Sequence, residues 1–169
     1  DVPLGGTFAG LTPSYCDRCT RGGPMLRKSA GFYPWGGFNS DSRRIISGGM
    51  WVNLWYSDEG NSHGHSLSPY LNFRVSSRMQ AGLGWNFSRD HNNSQWYGNF
   101  TDATGVTHFT FAHIDQNTNS MDARVNYAVT PDLTFEFYGE PFVSKGDYSD
   151  VREVATAGAG SYDTRFRPY

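Results

Sequence analysis

No stretch of the 169-residue chain runs to about 18 consecutive apolar residues, so a membrane-spanning helix is excluded. Basic residues are not in excess. The 14 Lys and Arg stand against 16 Asp and Glu, a net charge of −2 with a pI near 6.2, which leaves no positive field to attract nucleic acid. Cysteine is scarce: Cys16 and Cys19 form a Cys-Asp-Arg-Cys motif with no second pair to complete a zinc site. In an exported protein this motif reads as a small loop disulfide, with unpaired thiols as the alternative. Residues 1–10 carry neither the basic segment nor the apolar core of an export signal, so such a signal is expected upstream or already removed. Hydrolytic motifs are lacking too, with no Gly-x-Ser-x-Gly elbow and no Ser, His and acid at a recognisable spacing. No catalytic residue, metal set or cofactor is assigned, and the reading leans away from an enzyme.

What the chain does have is a two-residue period. Met121, Ala123, Val125, Tyr127 and Val129 alternate with Ser120, Asp122, Arg124, Asn126 and Ala128. After Thr130-Pro131-Asp132 the series resumes as Leu133, Phe135, Phe137, Gly139 and Pro141, alternating with Thr134, Glu136, Tyr138, Glu140 and Phe142. This is a β-hairpin with one apolar and one polar face. Each arm has about the 9 to 11 residues that a tilted strand needs to cross the hydrocarbon layer. A mean hydropathy of −0.58 beside 16% aromatics and 20 glycines is what such dyad-patterned strands produce, since half their residues face water.

Along the chain, residues 1–30 show no period and are expected to be an irregular loop or plug-like segment, the richest in basic residues. Strands are expected over 31–40, 43–56, 67–75, 79–88, 94–100, 106–114, 119–129 and 133–142. Residues 57–65 and 89–93 read as polar loops and 145–169 as a long polar loop preceding missing closing strands. Counting the strands up and down places short turns on one rim and longer loops on the other, as in outer-membrane barrels. The fold class expected is therefore all-β: an antiparallel up-and-down transmembrane β-barrel over residues 31–144, or about eight strands of a larger one.

Five blocks carry a family resemblance. They are Thr20-Arg21-Gly22-Gly23-Pro24, Ser40-Asp41-Ser42-Arg43-Arg44, Phe111 through Thr118, Arg124-Val125-Asn126-Tyr127 with Thr130-Pro131-Asp132-Leu133, and Tyr138 through Tyr148. In this order they resemble the C-terminal region of an uncharacterised family of bacterial exported proteins. Members look like an N-terminal carbohydrate-binding β-sandwich, similar to family 9 modules, followed by a large outer-membrane barrel-like domain. The resemblance implies location and fold. Family members are sometimes labelled membrane-associated hydrolases, but no catalytic residues carry over.

Candidate functional residues lie on the polar face. Asp122, Arg124, Glu136 and Glu140 are expected to form a charged network facing the lumen, with Arg124 opposite Tyr138. Trp51, Trp55 and Tyr138 are candidate lumen contacts for a solute or glycan. Phe32, Trp35, Trp51, Trp55, Tyr56, Trp85, Phe87, Trp96 and Tyr97 are expected near strand ends, at headgroup level, which for Trp51 and Trp55 competes with the lumen reading. His63 and His65 beside Asp58 and Glu59 read as a solvated loop rather than a metal site. A glycosidase pair from Glu136 and Glu140, or a lipase-like His113 and Ser120 on adjacent strands, has little to support it. The expected role is a structural or pore-forming, porin-like barrel in the outer membrane of a Gram-negative-type bacterium. Its partners would be lipids, small solutes or glycans, and other chains or the rest of a longer precursor, not nucleic acid. A soluble secreted carbohydrate-binding sandwich is the alternative, and a membrane-associated hydrolase the third reading.

Overall fold

The structure, a computed structural model, describes residues 1–9 and 12–169; positions 10 and 11 of the N-terminal stretch lie outside the described residues. Eleven strands form: β1 (Leu4–Ala9), β2 (Ser14–Cys16), β3 (Leu26–Lys28), β4 (Gly31–Asn39), β5 (Ile46–Ser57), β6 (Ser62–Arg74), β7 (Met79–Thr101), β8 (Thr107–Thr130), β9 (Leu133–Gly139), β10 (Phe142–Val154) and β11 (Phe166–Pro168). One four-residue helix, α1 (Tyr162–Arg165), and a 3-10 turn over Asp58–Gly60 are also present. Nine strands make one sheet in the order β1-β4-β5-β6-β7-β8-β10-β11, with β9 also on β8; β2 and β3 pair separately. All pairings are antiparallel.

β9 and β10 lie end to end along the same edge of β8. Ala123 pairs with Gly139 and Ser120 with Phe142, and between them the Met121 amide donates to the Pro141 carbonyl at 3.0 Å. Proline has no N–H for a ladder and is tolerated at an edge, where it breaks one long strand into two. Pro34 and Pro69 leave similar marks, since the β4–β5 ladder skips Tyr33 and Pro34 while the β6–β7 ladder skips Ser68 and Pro69.

The alternation survives as registered rows. Ile46, Phe73, Ala81, Val125 and Phe137 are successive cross-strand partners, as are Gly48, Leu71, Leu83, Ala123 and Gly139, so all share one face. The opposite face carries Ser47, Asn72, Gly82, Arg124 and Tyr138 in one row. Among the described residues no second large sheet covers the apolar face: Leu71 is 48% exposed, Trp85 54%, Met121 54% and Phe137 60%. The buried cluster sits elsewhere, at the end where β7 and β8 outrun β5 and β6. There Leu26, Phe111, Tyr162 and Phe166 pack with Cys19, Trp96, Val154 and Ala157 into a cap.

Several expectations are corrected. No closed barrel forms among the described residues; the sheet is open, ending on β1 at one side and on β9, β10 and β11 at the other. Residues 89–93 are strand, because β6 and β8 supply partners on both sides: His63 and Asp115 both pair with His91. Ladder pairing thus overrides the low strand propensity of Asp and Asn. That fuses the predicted strands 79–88 and 94–100 into β7, and 106–114 and 119–129 into β8. Residues 145–154 belong to β10, and residues 4–9 of the expected N-terminal loop pair with β4. With β7 one strand, the Asp102–Val106 turn moves to the same end as Asp58–Asn61; that end keeps the longer connections, between β1 and β4 and over residues 155–165, while the other carries the turns at 40–45, 75–78 and 131–132. Those longer connections, with the strand overshoot, build the cap. Trp85 also falls mid-strand, and Trp96 and Tyr97 in the overshoot, away from the strand ends expected for them.

Candidate functional site

The polar face is built by register. Gly82 stands opposite Arg124 and Gly84 opposite Asp122. A Cβ at Gly84 would lie 2.0 Å from Asp122 Oδ1, so the missing side chain is what lets the carboxylate lie across β7. Arg124 and Tyr138 are direct partners across β8 and β9, with the guanidinium 5.2 Å from the ring centroid. The Tyr138 hydroxyl donates to Glu140 Oε2, and Glu136 pairs with Asn126. Asp122, Arg124, Glu136 and Glu140 therefore share the face predicted for them. All four are exposed, and among the described residues no ion pair joins Arg124 to any of the three carboxylates. A hollow of about 520 Å³ on this face is lined by Ser47, Asn72, Gln80, Asp122, Arg124 and Asn126, among others. Its donors and acceptors are open to a polar solute.

Trp51 and Trp55 lie on the same polar face, half-buried. Trp51 sits 5.9 Å from Trp35, ring to ring. Trp55 Nε1 donates to Asp90 Oδ1 at 2.7 Å, and its indole lies over Gly64. Trp55 is thus tied down, while Trp51 keeps its indole N–H without a protein acceptor among the described hydrogen bonds. His113 and Ser120 both lie on β8, not on adjacent strands, and an even–odd separation points them to opposite faces. His63 and His65 are strand residues of β6 on the apolar-side face, not loop residues beside Asp58 and Glu59.

The cap closes one end of the sheet. Cys16 and Cys19 are bonded, tightening the turn that leads into it. At its centre Asp58 accepts hydrogen bonds from Ser29 Oγ (2.7 Å), Ser62 Oγ (2.6 Å) and Ser94 Oγ (2.7 Å). Asp58 and Glu59 both adopt left-handed backbone, φ 51° and 55°, at a conformational cost; Asp58 is turned inward, and the exposed Glu59 accepts from the Tyr162 amide at 2.9 Å. Arg165, 1% exposed, approaches both acids at 3.7 Å and donates to the Ala159 and Gly160 carbonyls and to Ser29. Tyr162 donates its hydroxyl to the Asn93 carbonyl, and burial pushes its phenol up to about 12. At the rim, hydrogen bonds to Glu153 first and Asp102 second raise the His108 imidazole above its ordinary value. The reciprocal bond from His108 holds Glu153 below the usual carboxylate range.

A profile for the domain of unknown function DUF5916 matches residues 15–167. The chain belongs to this uncharacterised family. No curated protein and no solved structure matches it. DUF5916 therefore brings no assigned activity, and the functional reading rests on the geometry of the two faces and the cap.

Sequence reasoning missed two groupings. The Asp58–Arg165 cluster joins residues far apart in sequence through the cap. The other, His91 with His113 and Asp115, is assembled by the β7–β8 register. The local sequence carries no signal for it, since residues 89–93 are all polar and only the pairing with β6 and β8 makes them strand.

Proposed function

We propose that this chain forms part of the wall of an outer-membrane β-barrel, its apolar face against lipid and its polar face toward a lumen, with strands from outside this chain completing the closure. The observation that carries the reading is the exposed, registered apolar face. Soluble monomers rarely leave a contiguous apolar patch larger than a few hundred Å² uncovered, and here large side chains on eight strands, β1 and β4 to β10, stand open. The apolar stretch on β7 runs from Met79 to Phe87. At ~3.3 Å per residue this is ~27 Å along the strand, or ~20 Å of height at a ~40° tilt, close to the ~25 Å band of outer-membrane barrels. The band has a lower limit. Along the row Leu54, His65, Arg89, Asn117 and Lys145, the same face is polar on every strand after β5.

The polar face supports a role in passage or retention of polar solutes. Its exposed Arg124, Asp122 and Glu136 and its half-buried Trp51 offer both charge and a stacking surface, the combination that lets a pore lining hold a small solute or glycan. A soluble carbohydrate-binding sandwich needs a second sheet over the apolar side chains, which the described residues do not supply. The test is fluorescence of single-tryptophan variants in vesicles carrying brominated lipid tails. Trp85, on the apolar face, is expected to be strongly quenched, and Trp51 is not. Equal quenching of the two, or a protein that stays in buffer without detergent or lipid, would remove the membrane reading.

A further inference from the structure

Beyond the apolar band, three side chains from β7 and β8 converge on one point. His91 and Asp115 are direct cross-strand partners, and His113 lies two residues before Asp115. His91 Nδ1 is 2.8 Å from Asp115 Oδ1, and His113 Nε2 is 3.1 Å from Asp115 Oδ2. One ligand atom from each residue lies within 4.8 Å of the others. The His63 ring stacks on His91 from the neighbouring strand, at 4.8 Å between centroids, and His113 packs against the other side at 4.0 Å.

The hydrogen bonds around His113 bear on what belongs between these groups. Asn93 Nδ2 donates to the Asn61 carbonyl at 2.9 Å, which turns Oδ1 toward His113 Nδ1 at 2.6 Å. An amide oxygen only accepts, so Nδ1 carries the ring proton, and in the neutral imidazole Nε2 is a bare lone pair. That lone pair faces a carboxylate oxygen, acceptor against acceptor. A cation at the meeting point resolves the clash. A proton on His113 Nε2 also relieves it, since a neutral His91 can donate its own Nδ1–H to Asp115; a metal ion is the cation that draws on all three side chains at once. Ligands each ~2.1 Å from one tetrahedral ion stand ~3.4 Å apart, so the nitrogen–oxygen separations of 2.8 and 3.1 Å need to open by only a few tenths of an ångström to admit one. Asn93 then plays the part usual for the partner of a metal-bound histidine, fixing the tautomer and the ring orientation.

From this geometry we infer that His91, His113 and Asp115 form a binding site for a divalent transition metal, zinc being the best match to two imidazoles and one carboxylate. Calcium and magnesium, which take oxygen ligands, do not fit this donor set. Three protein ligands leave at least one position for water or an outside group. The site lies on the outer face beyond the band, and the inference holds whether or not that band meets lipid.

The test is calorimetric titration of the chelator-treated, repurified protein with Zn²⁺, with Ca²⁺ as control. Wild type is expected to take up one Zn²⁺ per chain and no Ca²⁺. His91→Ala and Asp115→Asn are each expected to weaken binding on the order of 100-fold, and Asn93→Ala about tenfold, through loss of ring orientation. Asp115 is exposed and the change to Asn keeps its shape, so this variant reports on ligation even if changes at the more buried His113 disturb folding. Substitution by Co²⁺ should add visible absorption in wild type that Asp115→Asn loses. Absence of saturable Zn²⁺ uptake by wild type, or undiminished uptake by both His91→Ala and Asp115→Asn, overturns the site.

Discussion

Leu67 and His65 project from the same face of β6, and between them the surface of the sheet changes from apolar to ionisable. Leu67 is flanked by Val52 and Phe87, and His65 by Leu54 and Arg89. On β7 the change falls between Phe87 and Arg89, and on β10 between Val143 and Lys145. A boundary at matching register on β6, β7 and β10, and one step earlier on β8 between Met121 and Asn119, belongs to the sheet rather than to one strand, and it sets the first prediction.

Leu71 sits inside the apolar band and its neighbour Asn72 on the opposite face. Leu71→Arg should cost about 2–4 kcal/mol in a lipid environment, the range for arginine on the lipid face near mid-membrane. Asn72→Arg should cost far less. Urea unfolding from vesicles measures both, and equal costs would argue that the two faces meet the same surroundings.

The cap depends on Arg165. It is almost wholly buried beside Asp58, with side-chain exposures of 1% and 7%. Arg165→Met leaves Asp58 without its cation, and removal of one member of a buried pair typically costs about 3–5 kcal/mol. Limited proteolysis should then open the segment around residues 155–165 while the strands resist. Tyr162→Phe, which removes only the bond to the Asn93 carbonyl, should cost about 1 kcal/mol. An Arg165→Met protein as resistant as wild type would mean that the cluster adds no cohesion.

Acidity acts on the rim of the cap. The groups facing His108 are Glu153, itself bonded to Arg167, together with Asp102 and the ring of Tyr169. The raised His108 pKa adds stability that is complete below the ordinary value of 6.5 and is lost as pH rises through the raised one. The lowered Glu153 pKa adds stability that is present above the ordinary 4.5 and is lost as pH falls through the lowered one. Cap stability should therefore peak between these two ordinary values, by a modest amount because solvent screens the pair. Melting temperature against pH should show this maximum in wild type and a flatter profile in Glu153→Gln; superimposable profiles would count against the linkage.

The disulfide closes a very short loop. By loop entropy alone a ring of this size contributes at most about 2 kcal/mol. The Cys16→Ser, Cys19→Ser double variant should lower cap stability by no more than that and leave the sheet intact. Loss of the whole fold on reduction would show that the bond does more than tighten the turn.

How much of this was legible beforehand differs by element. The hairpin of Tyr127 and Phe135 was legible because the alternation is strict on both arms, and a turn of about three residues put Arg124 opposite Tyr138; the turn after Thr130 has two residues, and the register irregularity between Ala128 and Thr130 restores that pairing. The β7 segment through His91 was not, because its composition is that of a loop and only β6 and β8 make it a strand. Residues 145–154 misled for the same reason: Lys, Gly and Asp form β10 only because β8 offers an edge to pair with.

The sequence by itself determined that the chain is all-β with one apolar and one polar face, since a two-residue period is a local property that any strand converts into two sides. Only the tertiary structure decided that the sheet is a single open layer, that the cap gathers Asp58 with Arg165, and that His91 meets Asp115. Those depend on register and chain return, which join residues too far apart in sequence for any local pattern to specify.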